Sequence, residues 1–280
     1  MKKSYAQARW REAEGIRYKH DLGQHFLYDE ELLTSLVQAT GVTQADGVLE
    51  IGPGAGTLTR CLCRAAKNVV AVEVDHDILP FLRVNTEPFD NLTIVEGDVR
   101  KIHLSEVCAP LGDGFLGIAN IPYNITTPIL ECLWDSGLPI RQISVMIQKE
   151  VADKLMAAPS TAAYGVTSVR CQYLSQPSLV AVVPAERFTP PPKVDSAFVR
   201  MDMRSEPPLP VQDEKLLMRL VKAGFSLRRK TLTNALKGVV DGQKLRSALE
   251  ACGLSPTVRG EALSVEQWIS LANACAGEPS

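Results

Sequence analysis

The stretch Val48-Leu49-Glu50-Ile51-Gly52-Pro53-Gly54-Ala55-Gly56-Thr57-Leu58-Thr59 constrains this chain more than any other. An apolar run ends in alternating glycines, and an amphipathic segment follows. That order predicts strand, tight turn, helix. Glycines let backbone approach a ligand closely, and the start of a helix offers N–H groups without intrahelical partners. Taken alone, Gly-x-Gly-x-Gly also fits a plain loop between two elements. A second apolar run, Val69-Val70-Ala71-Val72, ends in Glu73. An acidic residue about 20 positions on, after a second strand, is placed to meet the hydroxyls of a nucleoside ribose.

The alternation continues along the chain. Asp29 is positioned to cap a helix over 30–40, with Gly41 at its end. Strands are predicted at 48–52, 69–74, 92–96, 115–119 and 143–147. Helices are predicted at 58–66, 78–85, 127–135 and 149–156. This βαβα order implies an α/β fold built on a parallel, doubly wound sheet. Two late strands, 178–183 and 197–203, read as an antiparallel pair. Ser205-Glu206-Pro207-Pro208-Leu209-Pro210 then breaks the pattern, because prolines so dense fit neither a helix nor a central strand. The domain boundary is placed there, giving units 1–204 and 205–280. The second is helical in period, over about 213–223, 229–237, 243–251 and 264–275.

Composition excludes several classes. With 280 residues, 45% of them hydrophobic, the chain has room for a large domain and a small one. The apolar runs are strand-sized and shorter than a membrane span, and the charged N-terminus lacks a signal-peptide core. Seven scattered cysteines without a Cys-x-x-Cys read as reduced thiols of a cytosolic protein. No metal site is implied. The net charge of −2 argues against a uniformly basic binder of nucleic acid. Basic residues nevertheless cluster in 1–20 and in 222–246. These clusters fit contact with a polyanion, and they fit solvated helix faces equally.

Asp98 and Asn120-Ile121-Pro122-Tyr123 follow the third and fourth strands. In an open parallel sheet, ligands bind outside the carboxyl ends of the strands. Gly52, Glu73, Asp98 and Asn120 therefore converge on one crevice, although each alone also fits a cap or a turn. A nicotinamide site requires Gly-x-Gly-x-x-Gly, but position 57 is Thr57. S-adenosylmethionine fits better, with its ribose at Glu73, its adenine amino group at Asp98 and its methionine portion along Gly52–Gly56.

Asn120-Ile121-Pro122-Tyr123 is similar to the Asn-x-Pro-aromatic motif of adenine-N6 methyltransferases. Lys19-His20-Asp21-Leu22-Gly23-Gln24-His25-Phe26-Leu27 resembles the N-terminal signature of the rRNA adenine dimethyltransferases. So do Arg187–Ser196 and Phe225–Leu232. The resemblance runs from Lys19 into the last helices and implies a Rossmann-like fold. It further implies that S-adenosylmethionine is held by His25, Leu27, Gly52, Gly54, Glu73, Asp98 and Asn120. His25 stands where the family usually has Asn, and Ile121 where Leu is commoner. The Gly-Gln-His-Phe-Leu and Arg-Arg-Lys-Thr-Leu segments favour resemblance to the small-subunit branch, which dimethylates two adjacent adenosines near the 3′ end of its RNA. The large-subunit resistance enzymes share Asn-Ile-Pro-Tyr-Asn-Ile.

The catalytic set implied is Asn120, Ile121, Pro122, Tyr123 and Phe188. The adenine N6 lone pair is weak, so its attack on a sulfonium methyl needs placement more than a strong base. Acceptors at Asn120 and the Ile121 carbonyl hold the N6 hydrogens, while Tyr123 and Phe188 cover the base faces. Arg228, Arg229, Lys230 and Lys237 are assigned to RNA phosphates, on a helix opening just after Phe225. The partner implied is small-subunit rRNA within a pre-assembled subunit, met by a monomer in the cytoplasm. A non-catalytic RNA-binding assembly factor remains the alternative of another class, and a dinucleotide-linked dehydrogenase is disfavoured by the glycine spacing.

Overall fold

The structure, a computed structural model, describes residues 24–276. The basic lead-in over 1–20 and the start of the Lys19–Leu27 motif lie outside the described residues. Among the described residues the strands are β1 (Phe26–Leu27), β2 (Gly47–Ile51), β3 (Asn68–Glu73), β4 (Leu92–Glu96), β5 (Phe115–Asn120), β6 (Ile140–Gln148), β7 (Ser175–Val183), β8 (Phe188–Thr189) and β9 (Ser196–Met203). Seven of them form one sheet in the order β4-β3-β2-β5-β6-β9-β7. β2 runs parallel to both β3 and β5, and the parallel pairing extends to β4 and β6. At the far edge, the Arg204 N–H donates to the Leu174 carbonyl at 2.9 Å. The end of β9 thus meets the start of β7, which is antiparallel pairing as expected.

The central strands are buried along their length, as parallel strands covered on both faces must be. Helices Glu30–Ala39, Thr57–Ala65, Leu79–Thr86 and Thr126–Asp135 alternate with the strands. Asp29 caps the first, its side chain accepting from the Leu32 N–H. Strand order reverses between β2 and β5, because the chain first builds outward through β3 and β4 and then returns to the other side of β2. That reversal opens a crevice at the carboxyl ends of the two strands.

β1 and β8 form a separate antiparallel pair, with Phe26 opposite Thr189 and Leu27 opposite Phe188. Two-residue strands carry no readable period, so this pairing is absent from the sequence expectation. It joins the Lys19–Leu27 motif, at its described end, to the Arg187–Ser196 motif.

Chain contacts divide the molecule into two compact units. One comprises the described residues up to Lys149 together with Leu179–Arg200. The other comprises Glu150–Ser178 and the chain from Met201 onward. The proline-based boundary at 204/205 lies close to the last crossing, but the second unit also takes in Glu150–Ser178. Part of that addition is a helix, Val166–Leu174, which no helical period in its mix of polar and apolar residues announces. Ser168 donates to the Lys154 carbonyl at 2.5 Å, and Gln172 donates to the carbonyls of Leu155 and Ala157. These side chains satisfy the open C-terminal end of helix Lys149–Leu155, so polar residues sit where apolar ones would normally mark the buried face.

The second unit has its own core, centred on Trp268, Leu220, Val221, Leu232 and Tyr164. The helix expected over 229–237 is shorter, Leu232–Ala235. Helix Glu214–Ser226 ends at Leu227, and a turn closed by the Lys230 N–H to the Leu227 carbonyl follows. The Leu232 N–H is taken by the Val258 carbonyl at 2.8 Å, a tertiary bond that replaces the helical one.

Gly224 packs directly under Trp268. A Cβ there would lie 2.5 Å from the indole and 3.1 Å from Leu232. Gly224→Ala is therefore expected to lower stability by about 1–3 kcal/mol through overpacking, despite the better helix propensity of Ala. Thermal unfolding checks it, and an unchanged or higher Tm would show that the core yields at this point.

Candidate active site

A cavity of about 310 Å³ occupies the crevice, lined among others by Gly52, Gly54, Glu73, Asp98, Asn120 and Tyr123. The strand-end residues expected to converge do so. His25, Leu27, Ile121 and Pro122 line the same cavity. Its size is at the lower end of the range for small-molecule sites.

The glycine loop is held from the next strand. Glu73 is buried at the end of β3. One carboxylate oxygen accepts the Gly54 N–H at 3.0 Å and the other accepts the Asp75 N–H at 2.8 Å. Burial raises its pKa, opposed by these backbone hydrogen bonds. Gly54 has φ +57°, and a Cβ there would sit 2.6 Å from the Phe26 ring. Only glycine combines that left-handed backbone with that close approach. Gly56, also left-handed, starts helix Thr57–Ala65 without a side-chain cap, leaving the helix end open toward the loop.

Asp98, beyond the end of β4, lines the same cavity. Arg100 grips it in a fork, Nε at 2.9 Å from one oxygen and Nη2 at 2.7 Å from the other. The guanidinium holds the Asp98 carboxyl below its usual range. Two oxygens with spare lone pairs still leave room for a further donor.

Asn120 ends β5. Its side-chain NH₂ donates to the His25 carbonyl at 3.0 Å. A carbonyl only accepts, so this bond fixes the amide orientation and leaves Oδ1 as an acceptor. The Ile121 N–H is bound to the Met146 carbonyl at 3.2 Å, anchoring the turn to β6. Tyr123 opens a short 3₁₀ turn leading into helix Thr126–Asp135. Its hydroxyl hydrogen-bonds Ser196, and its ring stacks on His25 with centroids 5.2 Å apart. The His25 Nδ1 lies 2.8 Å from the Pro190 carbonyl and must carry the proton between them.

Two expectations are placed differently. Phe188 is buried in β8 within the core of the first unit and is not among the residues lining the cavity, although Leu27, its partner across the pair, is. Arg228 is engaged within the second unit. Its Nε donates to Glu261 at 2.7 Å, and its two terminal nitrogens donate to the Ala162 and Thr161 carbonyls at 2.9 Å. Arg229, Lys230 and Lys237 are exposed, on the turn after helix Glu214–Ser226 and beyond the short helix.

Glu50 is a site residue that motif reasoning passes over. It lies on β2, lines the cavity and is 1% exposed. Its carboxylate makes no well-aligned hydrogen bond among the described residues, and the Thr59 hydroxyl is the polar group close enough to oppose the effect of burial. Burial, with the nearby charge of Glu73 adding to it, pushes its pKa up to about 8. An acid inside an otherwise apolar buried strand was the available signal.

The chain matches the family model described as ribosomal RNA adenine dimethylase over residues 15–276. It is 43% identical over 269 residues to ribosomal RNA small subunit methyltransferase A of Geobacillus thermodenitrificans (strain NG80-2), covering 93% of this chain and 92% of that one. The protein of the same name from Streptococcus pneumoniae (strain P1031) is 42% identical over 275 residues, covering 95% of each. Among solved structures, 23S rRNA methyltransferase ErmE is similar with a TM-score of 0.70 and 26% identity, over 90% of this chain and all 100% of that one. A dimethyladenosine transferase from Plasmodium falciparum gives 0.74 and 25%, over 86% and 94%.

The buried carboxyl of Glu50 makes stability depend on pH. Its folded pKa lies above its unfolded one, so its protonated form stabilises the fold at low pH and that contribution is lost as pH rises toward about 8. Glu50→Gln keeps the shape and removes the titration. Melting followed between about pH 5 and pH 8 should show a smaller decline for the variant, by an amount on the order of a few kcal/mol. Parallel profiles for the two proteins would mean that Glu50 titrates outside this window.

Proposed function

Because the chain belongs to the ribosomal RNA adenine dimethylase family, we propose that it transfers methyl groups from S-adenosylmethionine to N6 of two adjacent adenosines in the 3′-terminal hairpin of small-subunit rRNA. The observation that carries this reading is the shared cavity. An acceptor-oriented Asn120 and the Tyr123 ring face the same space as the glycine loop and Glu73. The small-subunit substrate is favoured over the large-subunit one by identity, 43% to the small-subunit enzyme against 26% to ErmE. The substrate we propose is a partly assembled subunit, met by a monomer in the cytoplasm. Among the described residues no helix is long and apolar enough to cross a membrane.

The residues fit the cofactor. A positive-φ loop that a Cβ would fill, a buried strand-end carboxylate at Glu73 and a second buried carboxyl at Glu50 line one cavity. Glu73 retains lone pairs for ribose hydroxyls, Asp98 for the adenine amino group, and the loop at Gly52 and Gly54 gives close approach to backbone. Leu27 and the main chain of His25 complete that side. When bound, S-adenosylmethionine supplies an electrophilic methyl group on a sulfonium.

The chain's own contribution is placement and charge stabilisation. Asn120 Oδ1 and the Ile121 carbonyl accept the hydrogens of the incoming N6. As that nitrogen becomes positive in the transition state, both acceptors bind it more strongly than in the ground state. Pro122 fixes the turn that carries the two acceptors. Tyr123 stacks on the base. Phe188 supports the site indirectly in this reading, by holding Leu27 through the β1–β8 pair.

The test is methylation of partly assembled small subunits with labelled S-adenosylmethionine, followed by mapping of the modified adenosines. Two adjacent dimethyladenosines are expected near the 3′ end. Folded Asn120→Ala should lose about 10- to 100-fold in single-turnover rate, the scale of a lost hydrogen bond to a charged centre. Label confined to other bases, or to large-subunit rRNA, would overturn the assignment.

RNA phosphates are assigned to Arg229, Lys230 and Lys237, whereas Arg228 is assigned to packing. Replacing Arg229 and Lys230 with Ala should flatten the dependence of log K on log salt by about one unit for each phosphate no longer neutralised. Arg228→Ala should instead lower the Tm and leave the slope unchanged. Filter binding at several salt concentrations, beside thermal unfolding, separates the two roles. A lowered slope in Arg228→Ala would return that residue to the RNA-binding set.

A further inference from the structure

Tyr123 is held by more than its own turn. Its ring has two points of attachment on segments far away in sequence. The hydroxyl bonds Ser196, which is fully buried at the start of β9. The ring stacks on His25, tilted by 30°. His25 is in turn tied to the Pro190 carbonyl, on the segment that leads into Ser196. Burial raises the Tyr123 phenol above its ordinary value, so the hydroxyl keeps its proton. A tyrosine used only for apolar stacking would not need that bond, and phenylalanine would serve.

We propose that Ser196 is a positioning residue for the second methyl transfer, acting by locking the ring of Tyr123. The inference rests on the proposed function and deepens it. In the first transfer the target nitrogen carries two hydrogens, and two acceptors, Asn120 Oδ1 and the Ile121 carbonyl, orient it. In the second it carries one hydrogen and one methyl group, so one of those hydrogen bonds is lost. The orientation of the base then depends more heavily on the face against which it stacks. A ring pinned at its hydroxyl and backed by His25 holds that face at a fixed angle. A ring pinned only at its backbone does not. The chemical step is the same in both rounds: nitrogen forms the new bond to carbon, the carbon–sulfur bond breaks with its electrons going to sulfur, and the nitrogen proton passes to water.

Tyr123→Phe and Ser196→Ala remove the same hydrogen bond from its two ends. Products of the wild type, both single variants and the double variant are quantified as monomethyl- and dimethyladenine. In each single variant the ratio of monomethyl to dimethyl product is expected to rise about fivefold or more, and in Ser196→Ala the first-transfer rate should fall less than about threefold with cofactor affinity unchanged. The double variant should match the singles, because partners in one bond are not additive. Tyr123→Phe adds no volume and keeps the test valid should Ser196→Ala fold poorly. Equal slowing of both transfers, an unchanged ratio, or effects that multiply in the double variant would overturn the proposal. A wild type that methylates no adenine overturns the proposed function itself, and this inference with it.

Discussion

The site depends on one carboxylate that reaches from one strand to the loop of the next. Glu73 grips the Gly54 N–H with one oxygen and the Asp75 N–H with the other, almost entirely out of water. Such a bond is worth more inside the protein than at its surface, and leaving either partner unpaired there is costly. It ties the glycine loop after β2 to the end of β3. The loop conformation is therefore set before any ligand arrives, and a ligand binding there need not meet the entropy of ordering it. The same carboxylate retains lone pairs beyond those two bonds, so the group that fixes the loop is not saturated by doing so.

A second constraint acts on the other side of the cavity. Residues near positions 25, 123 and 196 meet around one aromatic ring. The short β1–β8 pair makes this possible, because it brings the segment after Gln24 against the segment before Ser196. Asn120 is oriented by the same arrangement, since the carbonyl it binds belongs to His25. The acceptor geometry at the strand end thus depends on a pairing of only two residues on each side.

Much of this was legible in the sequence, for physical reasons. Parallel strands buried on both faces must be nearly continuous apolar runs, so β2, β3 and β5 announce themselves, and the alternation with helices implies that they run parallel. The residues at their carboxyl ends converge because the topology allows nothing else. What was not legible has equally definite causes. β1 and β8 are too short to show a period. Helix Val166–Leu174 hides its buried face behind Ser168 and Gln172, which are satisfied by the carbonyls of another helix. Charge patterning cannot separate Arg228, exposed yet tied to Glu261 and two carbonyls, from Arg229 and Lys230 beside it. The resemblance assigns Phe188 to a base face, whereas its side chain is buried in the core of the first unit.

The helical unit is not a continuous piece of chain. Its core draws on Tyr164, Val169 and Tyr173 as well as on the helices beyond Met201, while Leu179–Arg200 between them belongs to the other unit. A gene fragment beginning at the proline-rich stretch would encode only part of this core and would expose the apolar faces of Trp268 and Leu220 that the earlier helix helps to cover. No single cut releases the unit whole. A fragment suited to separate expression must fuse Glu150–Ser178 to the chain after Met201 through a new linker, which is the dissection the packing permits.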